Sequence, residues 1–438
     1  MGSSRKSPPA DRLYSFLVEE EDARVCLDIP EAACTNVPGN FFRLSSAQVL
    51  TKLADELSSA KTVLPWLLTA LGAPAFWIGF LVPIRESGSL LPQLLIASAV
   101  RRRPYRKVVW VLGAVLQALA LLGMGTAALL LRGWAAGFVI VGLLIFFSLA
   151  RGLVSVASKD VTGKTIPKTR RGRLNGYTTA AGGLLTLALG GILAISSSQD
   201  PSPLSLATIL FGAAILWIGA AMVFSFVAEV PGATQGGKDA FREALHRLTL
   251  LKSDAPFRRF VIVRALLIST GLAAPFYVAL AMDHGGGGGR TLALFILASG
   301  LASALSSLFW GRYSDRSSKS VLIAAASVAS SLGVFVFVLE RLSVLDRVSW
   351  IPPLAFFFLS IAHSGIRIGR KTYILDMASG ERRTDYVAVS NTVIGAVLLA
   401  SGAIGFLAPV VGSGGMLLLL SVMGFAGVLG GRALPEAQ

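Results

Sequence analysis

The chain has 438 residues, 54% of them hydrophobic and only 15% charged, with a mean hydropathy of +0.68. Soluble domains carry about 25% charged residues, so there is too little polar surface to coat globules of this size, and the unbroken apolar runs exclude a barrel of alternating strands. A formal net charge of +16 invites a nucleic-acid reading, but the basic residues fall in short segments between apolar runs, which assigns them to membrane topology.

In chain order, residues 1–45 are polar and mixed, with no apolar core after the initial basic residues, and do not read as a signal peptide. Cys26 and Cys34 lie eight residues apart without the further ligands a zinc site needs, and read as two ordinary thiols. Twelve apolar spans follow, near 47–72, 74–100, 107–131, 134–158, 175–197, 203–228, 257–282, 290–311, 319–341, 349–370, 386–410 and 413–433. An alternative start takes 63–84 as one span, which leaves only 87–100 for the next and is short for a crossing.

In the first span Lys52, Asp55, Glu56 and Ser59 follow helical spacing on one face, whereas Lys61 falls on the opposite face, which an unbroken helix does not explain. Arg85 and Glu86 sit about eleven residues, or roughly 16 Å, into the second span, near the bilayer centre. The fourth span carries Arg151, with Lys159 and Asp160 nearer the surface. Arg264 lies in the seventh span, His363 and Arg367 in the tenth. Ionisable groups at such depth are functional candidates.

The basic segments are Arg101–Lys107, Lys164–Arg173, Gly311–Lys319 and Ile368–Arg383; the alternate connections, Ser196–Pro203, Asp283–Arg290 and Gly412–Gly415, are small and nearly uncharged. This alternation predicts that the basic segments and both termini are cytoplasmic. Between the sixth and seventh spans, Phe241, Leu245, Leu248 and Leu251 lie opposite Lys238, Arg242 and Arg247, predicting a basic amphipathic helix on the membrane surface. Gly285–Gly289 reads as a flexible loop and not a phosphate cradle, since no Lys-Ser pair follows.

Two loops repeat at one interval. Arg170-Arg171 matches Arg382-Arg383 at an offset of 212, and Arg103 and Arg106 match Arg316 and Lys319 at 213. A duplicated six-span unit explains both offsets, and parallel halves of this kind recur among transporters. The expected organisation is a tail (1–45), a six-helix bundle (46–228), a linker with the amphipathic helix (229–256), a second bundle (257–433) and a short terminus (434–438).

The segment Gly311-Arg-Tyr-Ser-Asp315-Arg316-Ser-Ser-Lys319 resembles the signature loop of the major facilitator superfamily. The first copy, Ser98–Arg106, lacks its Gly and Asp and reads as a plain topogenic loop. Arg170-Arg171-Gly172-Arg173 and Leu71–Gln93 also resemble family passages. The resemblance implies an all-α fold of twelve transmembrane helices in two pseudo-symmetric bundles, whose first, fourth, seventh and tenth spans line a central cavity. It implies a conformational latch at Gly311, Asp315, Arg316 and Lys319, with Arg170, Arg171 and Arg173 as its counterparts. Adding 212 pairs Lys52 with Arg264 and Arg151 with His363 as cavity positions.

The cationic excess at depth fits an anionic substrate group, with Asp55, Glu56 and Glu86 as candidate proton carriers. For any single one of these residues an interhelical ion pair is an equal alternative. The expected function is a secondary transporter of a small organic solute working by alternating access, proton-coupled and favouring an anionic substrate, in the inner membrane of a bacterium. It is expected to act as a monomer, with no cofactor or metal and no nucleic-acid partner. A drug or metabolite efflux antiporter of the same fold is the alternative, and a non-transporting membrane sensor a more distant one. With three histidines and no H-E-x-x-H motif, an intramembrane enzyme is not expected.

Overall fold

In hydrocarbon every backbone N–H and C=O must find a partner within the protein, and a helix supplies them all locally. The computed structural model describes residues 29, 31–91, 96, 100, 102–196, 202–232, 234, 248–284, 288–314, 317–377 and 382–436, and these form helices joined by short turns. The helices are α1 (Glu31–Cys34), α2 (Val37–Leu57), α3 (Val63–Ala70), α4 (Phe76–Leu90), α5 (Lys107–Leu130), α6 (Gly133–Thr165), α7 (Lys168–Ser196) and α8 (Pro203–Ser225). They continue with α9 (Leu250–Ser253), α10 (Ala255–Leu266), α11 (Ser269–Asp283), α12 (Gly289–Ser314), α13 (Ser318–Arg341), α14 (Ile351–Met377), α15 (Arg382–Ser401), a 3-10 segment (Gly402–Leu407) and α16 (Ala408–Arg432).

Nine segments among the described residues are long and apolar enough to cross a membrane. One of them, Tyr386–Arg432, is 47 residues long and contains two crossings. They part at Gly412, whose φ of 74° is a left-handed conformation open to glycine. The two predicted spans outside this set are the first and second. The first is split into α2 and α3 and carries charge; the second is described as a helix only over the 15 residues of α4. The seventh is also interrupted, at Leu267–Ile268 between α10 and α11. α2 starts at Val37, inside the stretch predicted as tail, because Val37, Phe41 and Leu44 at helical spacing are buried.

Loop contacts sort the turns onto two ends. Gly133 N–H donates to Leu71 C=O at 2.8 Å, joining the turns after the first and third spans. At the other end, which carries the basic segments, Gly232 N–H donates to Pro104 C=O at 3.0 Å. One bundle packs α5 on α6 and α8, α8 on α2, and α4 on α6; the other packs α13 on α14 and α16, and α12 on α14. Trp110 and Phe224 stack with centroids 3.8 Å apart between α5 and α8, a contact worth about 0.5–1.5 kcal/mol beyond its buried area.

The bundles meet through α7 with α12, α4 with α15 and the 3-10 segment, and α11 with α3 and α4. Away from the basic end this seam is tight. A Cβ on Gly79 would lie 2.3 Å from Gly405 Cα, and Phe76 stacks on Phe406 at 5.5 Å. Small residues permit such backbone approach where lipid gives no hydrophobic drive to association.

One reading of the tail cysteines changes. Cys34 is disulfide-bonded, not an ordinary thiol. Cys26 lies outside the described residues, as do 235–247 of the predicted amphipathic helix and Gly285–Gly287 of the glycine run.

Candidate functional site

The site begins with the break in the first span. Pro65 has no N–H to donate to the carbonyl of Lys61, and its ring crowds that carbonyl, so a helix cannot run straight through. α2 ends at Leu57 and Ser58 Oγ donates back to Ala54 C=O at 2.8 Å, while Leu64 N–H donates to Ser59 C=O at 3.0 Å. Ser59 follows the end of that helix and lines the same cavities as Asp55 and Glu56. Lys61, on the wrong face of a continuous helix, is carried into the middle of the protein.

Three cavities meet at Lys61. One is lined by Asp55, Ser59, Arg85, Glu86 and Arg151. A second is rich in hydroxyls, with Ser299, Ser303, Ser360, Ser364 and Thr270 around Glu56 and His363. The third is walled by apolar side chains including Phe260, Leu322 and Leu398, with Glu86, Arg264, His363, Arg367 and Arg370. Together the linings hold six lysines and arginines and three carboxylates.

These charges are not equally neutralised. Asp55 sits between two guanidiniums, 2.7 Å from Arg85 Nη2 and 2.5 Å from Arg151 Nη1. Arg85 also lies over the Phe147 ring at 4.6 Å, a cation–π placement. Arg264 donates to Ser390 Oγ at 2.6 Å and Asn391 Oδ1 at 2.9 Å, both neutral. Glu86 shares cavity linings with Lys61, Arg85 and Arg370 and lies in the field of all three. Lys61, Arg367 and Arg370 make no ion pair within 4 Å among the described residues. Glu56 makes none either, and its Oε1 is buried without a hydrogen-bond partner. His363 Nδ1 is 3.2 Å from Thr270 Oγ1.

Most of the sequence-predicted charges thus converge. Asp55, Glu56, Arg85, Glu86, Arg151, Arg264, His363 and Arg367 all line the joined cavities. Lys52 does not; its Nζ donates to Thr179 of α7 at 2.7 Å, within its own bundle. Lys61 and Arg370 were absent from the candidate set. Pro65 four residues after Lys61 was the available signal for one. For the other it was the spacing His363, Arg367, Arg370 on a single helical face, because α14 runs on to Met377 and Arg370 is not yet in a loop.

The loop residues give a different picture. Gly311 lies in α12, whereas Asp315 and Arg316 lie outside the described residues. Lys319 Nζ is 3.3 Å from Glu436 Oε1. Arg171 donates to Ile166 and Gly163 carbonyls at 2.9 and 2.8 Å, capping the C-terminal end of α6. Arg170 is buried and Arg173 exposed.

The first copy of the loop, lacking its own acid, borrows one. Glu229, with a side chain fully removed from solvent, accepts from the backbone N–H of Arg106 and Lys107 at 3.0 and 2.8 Å and pairs with Lys164 at 2.8 Å. Asp160 completes the network through Lys164 at 2.9 Å and Arg106 at 3.7 Å. Arg106 is 3% exposed, so this loop is built into the bundle's end and does more than set topology.

Comparison with solved structures finds the same fold repeatedly. A D-xylose-proton symporter superposes with a TM-score of 0.68 at 16% identity, covering 91% of this chain and 98% of that one. A point mutant of the nucleoside transporter NupG gives 0.67 at 12%, covering 91% and 100%. A POT family transporter in complex with a thioalcohol-conjugated peptide gives 0.65 at 12%, covering 92% and 97%. Among curated proteins no significant match is found. The sequence model of the Major Facilitator Superfamily matches residues 54–409. A polytopic helical bundle pair with a charged cavity at its centre, matched by that model over most of its length, belongs to the Major Facilitator Superfamily, and the chain is a multi-pass membrane transporter of that family.

Proposed function

We propose that the protein carries a small organic anion across the bacterial inner membrane by alternating access, coupled to protons, with its basic loops and both termini on the cytoplasmic side. The observation that supports this most is the cluster of Lys61, Arg367 and Arg370, three cations facing the joined cavities with no ion pair within 4 Å among the described residues. Unpaired charge in a low-dielectric site is costly, and an anionic solute relieves it. Arginine offers a planar fork suited to carboxylate or phosphate, and lysine a mobile point charge.

Glu56 is the proton carrier in this reading. Asp55 is committed to Arg85 and Arg151, so changing its charge breaks two ion pairs. Glu56 breaks none, and it lies in the hydroxyl-lined chamber that also contacts Lys61 and Arg367. A proton on Glu56 offsets the charge that the bound anion brings, so anion and proton cross the bilayer midplane as a pair that adds no net charge.

Proteoliposomes with entrapped pyranine test both points. Addition of a panel of organic acids is expected to acidify the lumen for at least one, with no response to the matching uncharged amides. Lys61→Met and Arg370→Ala are expected to remove at least nine-tenths of the response, while Glu56→Gln retains counterflow of the acid but loses acceleration by a pH gradient. A full response in both cation variants sinks the anion reading. Gradient-driven uptake in Glu56→Gln sinks the proton assignment.

A further inference from the structure

Two of the three chambers are chemically opposite and share one cationic wall. Resting on the anion reading above, we infer that the substrate is an amphiphilic organic anion: a compact apolar group, an acidic group beside it, and a hydroxylated portion beyond. Phe260, Val263, Leu267, Leu322 and Leu398 form the apolar chamber, and each is at most 6% exposed. They wall a space that Glu86, Arg264 and Arg370 also line. Ser59, Thr270, Ser299, Ser303, Ser360 and Ser364 form the opposite chamber. Lys61, His363 and Arg367 belong to both linings.

A molecule bound across this wall places its acid on Lys61 and Arg367, with Arg370 reaching from the apolar side. Simpler substrates each waste part of the site. A small inorganic anion uses neither chamber. A neutral sugar satisfies the hydroxyls and leaves the cations bare. An uncharged apolar drug fills only the side of Phe260 and Leu398. The hydroxyls matter because a built hydrogen-bonding site discriminates strongly against molecules that leave its groups unpaired.

Four probes separate these demands on the purified full-length protein, with binding followed by calorimetry. Phenyl β-D-glucuronide has ring, acid and hydroxyls; D-glucuronate lacks the ring, benzoate the hydroxyls and phenyl β-D-glucoside the charge. The expected result is that phenyl glucuronide binds at least about tenfold tighter than each of the others, the gain from burying one ring. Leu398→Ser is expected to narrow the gap between phenyl glucuronide and glucuronate to within about twofold, and Leu322→Ser serves as the second variant if the first is not monodisperse. Equal binding of phenyl glucuronide and glucuronate, both lost in Arg370→Ala, overturns the amphiphile and leaves the anion reading standing. Equal binding of the glucoside and glucuronide overturns both. No binding by any probe at millimolar concentration overturns the inference.

Discussion

At the scale of single residues, the informative distinction is between charges that are answered and charges that are not. Asp55 answers two arginines from two other helices, so its removal leaves two cations facing each other. Asp55→Asn is expected to destabilise the protein by about 3 kcal/mol, the low end for breaking a buried pair, because Arg151 keeps a third of its side-chain surface. A thermal midpoint in detergent unchanged from the parent would show that the pair is solvated and idle. Asp55, Arg85 and Arg151 were all legible as candidates from depth alone. Their mutual pairing was not, since Arg151 and Asp55 are 96 positions apart and no local pattern reports that distance. Lys61 was legible only as an anomaly, and the break in its helix resolves it.

At the scale of elements, interruptions place the chemistry. α2 and α3 are separated by Ser58–Thr62, and α10 and α11 by Leu267–Ile268, equivalent places in the two halves to within a few residues of the 212 offset. Serines that bond their own backbone offer the chain an alternative to helix, and Pro65 makes an unbroken helix through Lys61 costly. Pro65→Ala restores the donor to the Lys61 carbonyl and is expected to join α2 to α3, turning the Lys61 ammonium out of the cavity. Helical content by circular dichroism should be kept or slightly raised while organic-acid transport falls to roughly the level of Lys61→Met. Transport at the parental rate would mean that the break is held by tertiary packing and not by the proline. Other elements were easier. The turn at Gly412 fell between the predicted eleventh and twelfth spans because glycine-rich connections announce themselves in composition.

At the scale of the whole molecule, the duplication extends from loops to contacts. Lys52 bonds Thr179 and Arg264 bonds Asn391, and 264 − 52 and 391 − 179 both equal 212. Glu229 after the sixth span and Glu436 after the twelfth each hold a basic residue at the start of the third or ninth, Lys164 joining the former. The symmetry ends at the cavity, where all three carboxylates come from the first bundle and Arg367 and Arg370, without an ion pair among the described residues, from the second. The seam between bundles is closed at the end away from the basic loops, where Gly79 and Gly405 touch backbone to backbone. Gly79→Val forces that seam apart and is expected to favour the state open there. An impermeant maleimide added from that side should label Ser303→Cys several-fold faster in the valine background. Equal labelling rates would show that closure rests on other contacts.

Composition, hydropathy and the repeated basic loops determined by themselves that the chain is a membrane-spanning helical protein of two related halves, because bilayer thickness and backbone satisfaction act on each segment independently. They also named most of the ionisable groups that the cavity brings together. Which of those groups form ion pairs, which make none among the described residues, and that Lys61 joins hydroxyl-lined and apolar chambers was decided only by tertiary structure. Ion pairing falls off over a few ångströms, and those ångströms are set by how helices far apart in sequence pack.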